Sequence, residues 1–157
     1  MLEAGCGTGL VGQELAGEGF SNLTGMDISA SCLKEAETKG VYVKTIKHNL
    51  LARFPFPDGA FDAVVCVGVF SRFDEGQIQE VVREFARITR KEGKIIFSHR
   101  EDLITPALHN ALGEIEEVKT EEITALLPYF SWDEHYKNIH IRFFILRKVM
   151  DAWCVER

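Results

Sequence analysis

Several features that would assign this chain quickly are missing, and each absence removes a reading. No apolar run approaches the roughly 20 residues needed to cross a bilayer; the longest, Ala63 to Phe70, is strand-sized. Residues 1–20 show no basic n-region and break into glycines at once, so no secretory signal is read there. The cysteines Cys6, Cys32, Cys66 and Cys154 form no Cys-x-x-Cys pair. That scatter favours free thiols in a reducing cytoplasm over a disulfide framework. Basic excess is absent as well: 18 Lys and Arg stand against 24 Asp and Glu, a net charge of −6. A phosphate-backbone partner is therefore disfavoured. There is no GxxxxGK[ST] loop for nucleotide phosphates, no serine in a nucleophile elbow and no zinc-like Cys/His spacing. His135 and His140 stand five apart and read as solvent or strand positions, so no metal is expected.

What remains is an ordinary globular composition, 46% hydrophobic and 27% charged, in 157 residues. That length makes one domain with a core large enough to need no staples. Short β-rich runs alternate with helical patterns, which argues for an α/β layered fold with a largely parallel sheet. Met1–Ala4 reads as the end of a strand and is followed by a glycine turn and a helix to Gly17. Leu23–Met26 is strand-like, Ser29 or Ser31 caps a helix to Lys39, and Val41–Ile46 alternates like a half-buried or edge strand. The nearly all-apolar Phe61–Val67 run reads as a central parallel strand. Asp74 caps an amphipathic helix whose stripe is Ile78, Val81, Val82, Phe85 and Ile88, with Gly93 at its C-terminal cap. Lys94–Ser98 is the next strand and Thr105-Pro106 opens a helix. Residues 113–138 are mixed in pattern, and Ile139–Val149 looks like a final strand at or next to a sheet edge that does not fit another right-handed βα repeat.

The strongest signal is Glu3-Ala4-Gly5-Cys6-Gly7-Thr8-Gly9-Leu10-Val11-Gly12. Glycines between a strand and a helix permit a tight turn, and without Cβ atoms they let a ligand touch the backbone N–H groups at the helix start. Asp27, 20 residues after Gly7, ends the second strand, where an acidic side chain can accept hydrogen bonds from ribose hydroxyls. Gly7-x-Gly9-x-x-Gly12 also fits a dinucleotide fingerprint, so a nicotinamide-dependent oxidoreductase stays open. Residues 1–33 hold Glu3, Glu14, Glu18 and Asp27 but no lysine or arginine, which favours a cationic ligand such as a sulfonium.

These residues resemble a known family. Glu3-x-Gly5-x-Gly7-x-Gly9 is similar to motif I of the class I S-adenosylmethionine-dependent methyltransferases, and Gly25-Met26-Asp27-Ile28-Ser29 to the motif carrying the ribose-binding acid. Phe54 to Val64 resembles the "LPFPDGSFD" stretch before strand four, and Lys91-Glu92-Gly93-Lys94 the "LKPGG" turn before strand five. The subgroup it resembles most is the methyltransferase-like proteins related to the Williams–Beuren region methyltransferase. The likeness covers residues 1–99; residues 100–157 share only a helix followed by paired final strands.

The resemblance implies a Rossmann-like, doubly wound, mostly parallel seven-stranded sheet with an antiparallel last strand. It also implies a single domain over 1–157, with a cofactor-binding half (1–99) and an acceptor-side half (100–157). An N-terminal helical lid, usual in the family, is expected to be missing: either the chain is a fragment of a longer one, or it is an open enzyme for which an oligomer or partner would supply the lid. The cofactor would be S-adenosylmethionine, leaving as S-adenosylhomocysteine. Gly5, Cys6, Gly7 and Gly9 would line its methionine moiety, with Glu3 beneath the amino-acid end and Asp27 on the ribose. Ile28 would pack on one adenine face and Leu50 or Leu51 on the other. Asn49, offset by one position from the usual Asp or Asn, would take the adenine amino group, and Val67 and Gly68 would approach from strand four.

Methyl transfer from a sulfonium needs alignment and removal of a proton. Phe70, Ser71, Arg72, His99, Arg100 and Tyr136 are candidates for acceptor contact, with Ser71 and Arg72 carried as catalytic candidates beside His99, the candidate base. The chain lacks [DN]-P-P-[YF] after strand four and a Pro-Cys pair, which disfavours nucleic acid and leaves a small molecule or protein side chain as acceptor. A catalytically inactive, cofactor-binding domain acting through partners is the alternative.

Overall fold

The computed structural model describes residues 1–129 and 137–151. The chain runs β1 (Leu2–Ala4), α1 (Leu10–Gly17), β2 (Leu23–Asp27), α2 (Ala30–Thr38), β3 (Tyr42–Lys47), β4 (Phe61–Cys66), α3 (Glu75–Ile88), β5 (Thr89–Arg100), α4 (Pro106–Gly113), β6 (Val118–Ile123), β7 (Leu127–Pro128) and β8 (His140–Lys148). The sheet order is β3-β2-β1-β4-β5-β8-β6, with β7 also pairing β8. From β3 to β5 every pairing is parallel, whereas β8 lies antiparallel between β5 and β6. The expected mixed sheet is therefore present: the final strand fills the slot beside β5 instead of continuing the βα alternation. The two-residue β7 extends the β6 side of β8 and makes the strand count eight.

Alternation places the site. Successive residues of a strand face opposite sides, so Leu2 and Ala4 join the main core while Glu3 faces α1, where Gly12 lies. The main core is built around α3 and α4. The apolar stripe of α3 (Ile78, Val81, Val82, Phe85, Ile88) is buried throughout, as its 3.6-residue period requires. Phe97 and Phe144 pair across β5 and β8 and stack at 4.9 Å; Phe70 meets Phe97 at 4.9 Å. Phe70 is fully buried there, so it serves the core and is unavailable to an acceptor.

The expected caps are largely as read. Asp74 forms a capping box with Gln77, Thr105 caps α4 ahead of Pro106, and Ser29 rather than Ser31 caps α2. Gly93 is a correction. Helix α3 ends at Ile88, and Gly93 lies inside β5, after Glu92 with a φ of 65°. A Cβ at Gly93 would meet Thr89 Cγ2 at 2.5 Å and the Asp62 carbonyl at 2.7 Å. Close backbone approach where β5 bulges against β4, not helix termination, demands the glycine. His135, Tyr136 and Cys154 fall outside the described residues.

Candidate functional site

The carboxyl ends of β1, β2 and β4 meet where the strand order reverses, the place where open α/β sheets bind ligands. A cleft of about 570 Å³ opens there, within the 300–1,000 Å³ range usual for small-molecule sites.

Its floor is the loop between β1 and α1, hung from β2 by backbone. The N–H groups of Gly5 and Cys6 both donate to the Met26 carbonyl, at 2.7 and 3.0 Å, and Gly9 N–H closes onto Cys6 O at 2.9 Å. Gly5, Gly7 and Gly9 all have positive φ, the left-handed region in which a side chain is strained. Gly5 has a second reason to be glycine: a Cβ there would stand 2.4 Å from Val69 Cγ2, in the loop that follows β4. Asp27 anchors the loop's crown, accepting from Gly7 N–H through Oδ2 and from Ser29 N–H through Oδ1, each at 2.8 Å. One lone pair on each oxygen remains for a ligand hydroxyl.

Glu3 is 3% exposed beneath this loop and accepts from the Tyr42 hydroxyl at 2.6 Å. Burial raises its pKa from 4.5 to about 7; the Tyr42 hydroxyl and the Gly12 amide oppose that rise, and Asp27 reinforces it. Burial and the nearby Glu3 and Asp27 likewise push the Cys6 thiol up to about 12, so Cys6 is a neutral wall and no nucleophile at physiological pH.

Of the sequence-read cofactor residues, Glu3, Gly5, Cys6, Gly7, Asp27, Ile28, Asn49, Leu50, Val67 and Gly68 line this cleft. Gly9 and Leu51 do not. Gly9 is buried as the N-cap of α1, and Leu51 is 41% exposed outside the lining. Between the two leucine candidates, Leu50 faces the site. Asn49 Oδ1 accepts from Leu51 N–H at 3.1 Å in an Asx-type turn, which engages one of its two lone pairs.

The acceptor candidates divide. Arg72 lines the cleft with Val69, Phe73 and Tyr129, and brings a positive charge to a lining that also holds Glu3 and Asp27. Ser71, His99 and Arg100 instead border a small adjoining cavity of about 20 Å³, together with Ser98 and Ile141. Gly68 and Tyr129 border both spaces. Ser98 Oγ accepts from Gly68 N–H at 2.9 Å and fixes the partition. His99 is 4% exposed, and its Nδ1 has no hydrogen-bond partner. Burial lowers its pKa, against the opposing effect of Asp102 and a hydrogen bond to the Leu103 backbone, so the ring is neutral at pH 7. A neutral imidazole with one free nitrogen is a proton acceptor. No group of His, Cys, Asp and Glu among the described residues is arranged to hold a metal ion.

Sequence reading missed Tyr42, Tyr129 and His48. Tyr129 and His48 line the cleft, while Tyr42 stands behind it on Glu3. No local pattern marks them, because the contact of Tyr42 with Glu3 spans 39 residues.

Known proteins share this architecture. A family described as "Methyltransferase domain" matches residues 1–93, more than half of the chain, and the chain belongs to that family. Human methyltransferase-like protein 27 is 35% identical over 101 residues, which is 64% of this chain and 40% of that protein. The chain thus spans well under half the length of this curated relative. Among solved structures, magnesium protoporphyrin IX methyltransferase from Synechocystis, with S-adenosylmethionine bound, superposes with a TM-score of 0.69 at 17% identity, covering 94% of this chain and 68% of that one. The [4+2]-cyclase SpnF superposes at 0.75 with 16% identity, covering 95% and 74%.

Proposed function

We propose that this chain binds S-adenosylmethionine in the cleft and transfers its methyl group to a small molecule or a protein side chain. The observation that carries this reading is the loop of positive-φ glycines pinned by Asp27, with Glu3 buried beneath it. Gly7 presents bare backbone, Asp27 keeps a lone pair on each oxygen for the ribose, and Leu50 and the 64%-exposed Ile28 offer apolar surface to an adenine. The acid-rich wall suits a cationic donor better than a pyrophosphate. The bound cofactor in the Synechocystis neighbour supports the same assignment.

When bound, the donor supplies a methyl group already activated on a sulfonium. The protein's tasks are alignment and proton removal. Val67 and Gly68 at the end of β4 border the side from which an acceptor must approach. Arg72 and Phe73 hold a small acceptor with an anionic or polar group on an apolar body. His99 Nδ1, behind the Gly68–Tyr129 partition, would accept the acceptor's proton through a water in the small cavity, while the acceptor takes the methyl group and the donor leaves as S-adenosylhomocysteine. Ser71 borders the same small cavity, where its hydroxyl would hold that water.

Leu10 and Ile28, 61% and 64% exposed beside the cleft, form an apolar rim that further polypeptide or a partner subunit closes over the ligand. Among the described residues no helix is long and apolar enough to cross a membrane. With Cys6, Cys32 and Cys66 free, we place the protein in the cytoplasm.

The test is transfer of a tritiated methyl group from S-adenosylmethionine to fractionated metabolites and proteins. Incorporation by the wild type that His99→Ala reduces at least tenfold supports the reading. Donor binding without incorporation into any fraction contradicts the transfer step, and incorporation unaffected by His99→Ala removes His99 from it.

A further inference from the structure

Tyr42 opens β3, the edge strand of the sheet, yet its side chain does not turn to solvent. It reaches inward past β2 to β1, where its hydroxyl meets Glu3 Oε2 at 2.6 Å. Three glycines from three different segments clear its path. A Cβ on Gly12 would lie 2.1 Å from the Tyr42 oxygen, one on Gly9 3.0 Å from the ring, and one on Gly25 3.1 Å from it. The third glycine of the loop pattern therefore makes room for a side chain of this protein as well as for helix packing.

We propose that Tyr42 is a positioning residue of the donor site: its hydroxyl ties one oxygen of Glu3 and so presents the other to the cationic amino-acid end of the methyl donor. The assignment rests on the methyltransferase reading above.

The surroundings of Glu3 explain why a tether is needed. It is faced by Tyr42 from β3, Asp27 from β2, Cys6 from the loop, Cys66 from β4 and the Gly12 amide from α1. None of these is a cation. An isolated buried carboxylate takes up a proton instead of paying for desolvation. Only the phenol hydroxyl and the Gly12 amide favour the charged form. At neutral pH the Tyr42 hydroxyl thus decides whether Glu3 meets a ligand cation as a carboxylate or as a neutral acid.

The test is calorimetric binding of S-adenosylhomocysteine, which keeps the amino-acid end, from pH 6 to 9, with wild type, Tyr42→Phe, Gly12→Ala and Glu3→Gln. Wild-type affinity is expected to weaken as pH falls through about 7. Tyr42→Phe binds about tenfold more weakly at pH 7.5, the worth of one hydrogen bond to a charged group, and its affinity is lost at a higher pH than in the wild type. Gly12→Ala, whose Cβ would overlap the Tyr42 hydroxyl and Cζ and crowd Glu3 Oε2, breaks the same bond from the other side and shows the same alkaline shift. Glu3→Gln binds weakly with no pH dependence over this range. A merely structural tyrosine would lower the melting temperature and leave the pH profile unmoved. A Tyr42→Phe protein with wild-type affinity and profile overturns the assignment, whereas a wild type that binds no donor analogue overturns the reading of the cleft and this assignment with it.

Discussion

The two sides of the cleft are held by different physics. On the β1–β2 side the fixed contacts run through backbone or buried groups: Gly5 and Cys6 on the Met26 carbonyl, Gly7 on Asp27, Tyr42 on Glu3. The β5–β8 side shares a backbone ladder and the buried Phe97–Phe144 stack, and adds surface ion pairs: Arg142 with Glu101 toward the cleft, and Lys94 with Glu121 and Arg147 with Glu92 and Glu121 at the other end of the strands. A backbone-hung loop has no slack, so one added atom propagates through it. Exposed ion pairs contribute little each and can be exchanged without loss of the fold.

That contrast sets a graded series of effects. Asp27→Ala removes the acceptor of two loop N–H bonds and the proposed ribose contact together. Donor binding by calorimetry should fall at least 100-fold, about 2.7 kcal/mol, with the far-ultraviolet dichroism unchanged. Gly5→Ala adds a Cβ at φ +73° against Val69. It should cost about 1–3 kcal/mol in urea denaturation, and an effect near zero would mean that the loop is slack after all.

Glu3 gives a pH signature with a definite sign. Its folded pKa of about 7 exceeds the ordinary 4.5, so the folded state binds the proton more tightly than the unfolded state. The resulting stabilisation relative to high pH is complete below about 4.5 and is lost as pH rises through 7. In thermal melts without ligand, Glu3→Gln should therefore gain on the wild type as pH rises from 5 to 8, by about 2–4 °C, equivalent to roughly 1 kcal/mol at this size. A constant difference would show that Glu3 does not titrate in that window. On the other side, Lys94→Ala, which removes one exposed pair with Glu121, should move the melting temperature by no more than about 1–2 °C. A larger loss would erase the distinction between the two sides.

The same contrast explains what the amino-acid sequence discloses. The glycine loop, Asp27, the α3 stripe and the Asp74 cap depend on neighbours in sequence and are legible as patterns. The strand at 140–148 is legible as a strand, but its antiparallel place between β5 and β6 follows from tertiary pairing. Gly93 misleads because a glycine after a helix usually caps it; here a bulge and the Asp62 carbonyl require it. Phe70 follows strand four like an acceptor-facing residue, yet the Phe85 and Phe97 rings claim it for the core. Tyr42 carries no local signal at all, since its meaning lies in glycines at positions 9, 12 and 25 and a carboxylate at position 3.

The central claim is that a sulfonium nucleoside, not a dinucleotide, occupies the cleft. Titrating the wild type and Asp27→Ala with S-adenosylmethionine, S-adenosylhomocysteine and NAD tests it most directly. The account predicts mutually exclusive, one-to-one binding of the first two by the wild type, loss of both in Asp27→Ala, and no binding of NAD. Saturable binding of NAD with none of either sulfur ligand would contradict it.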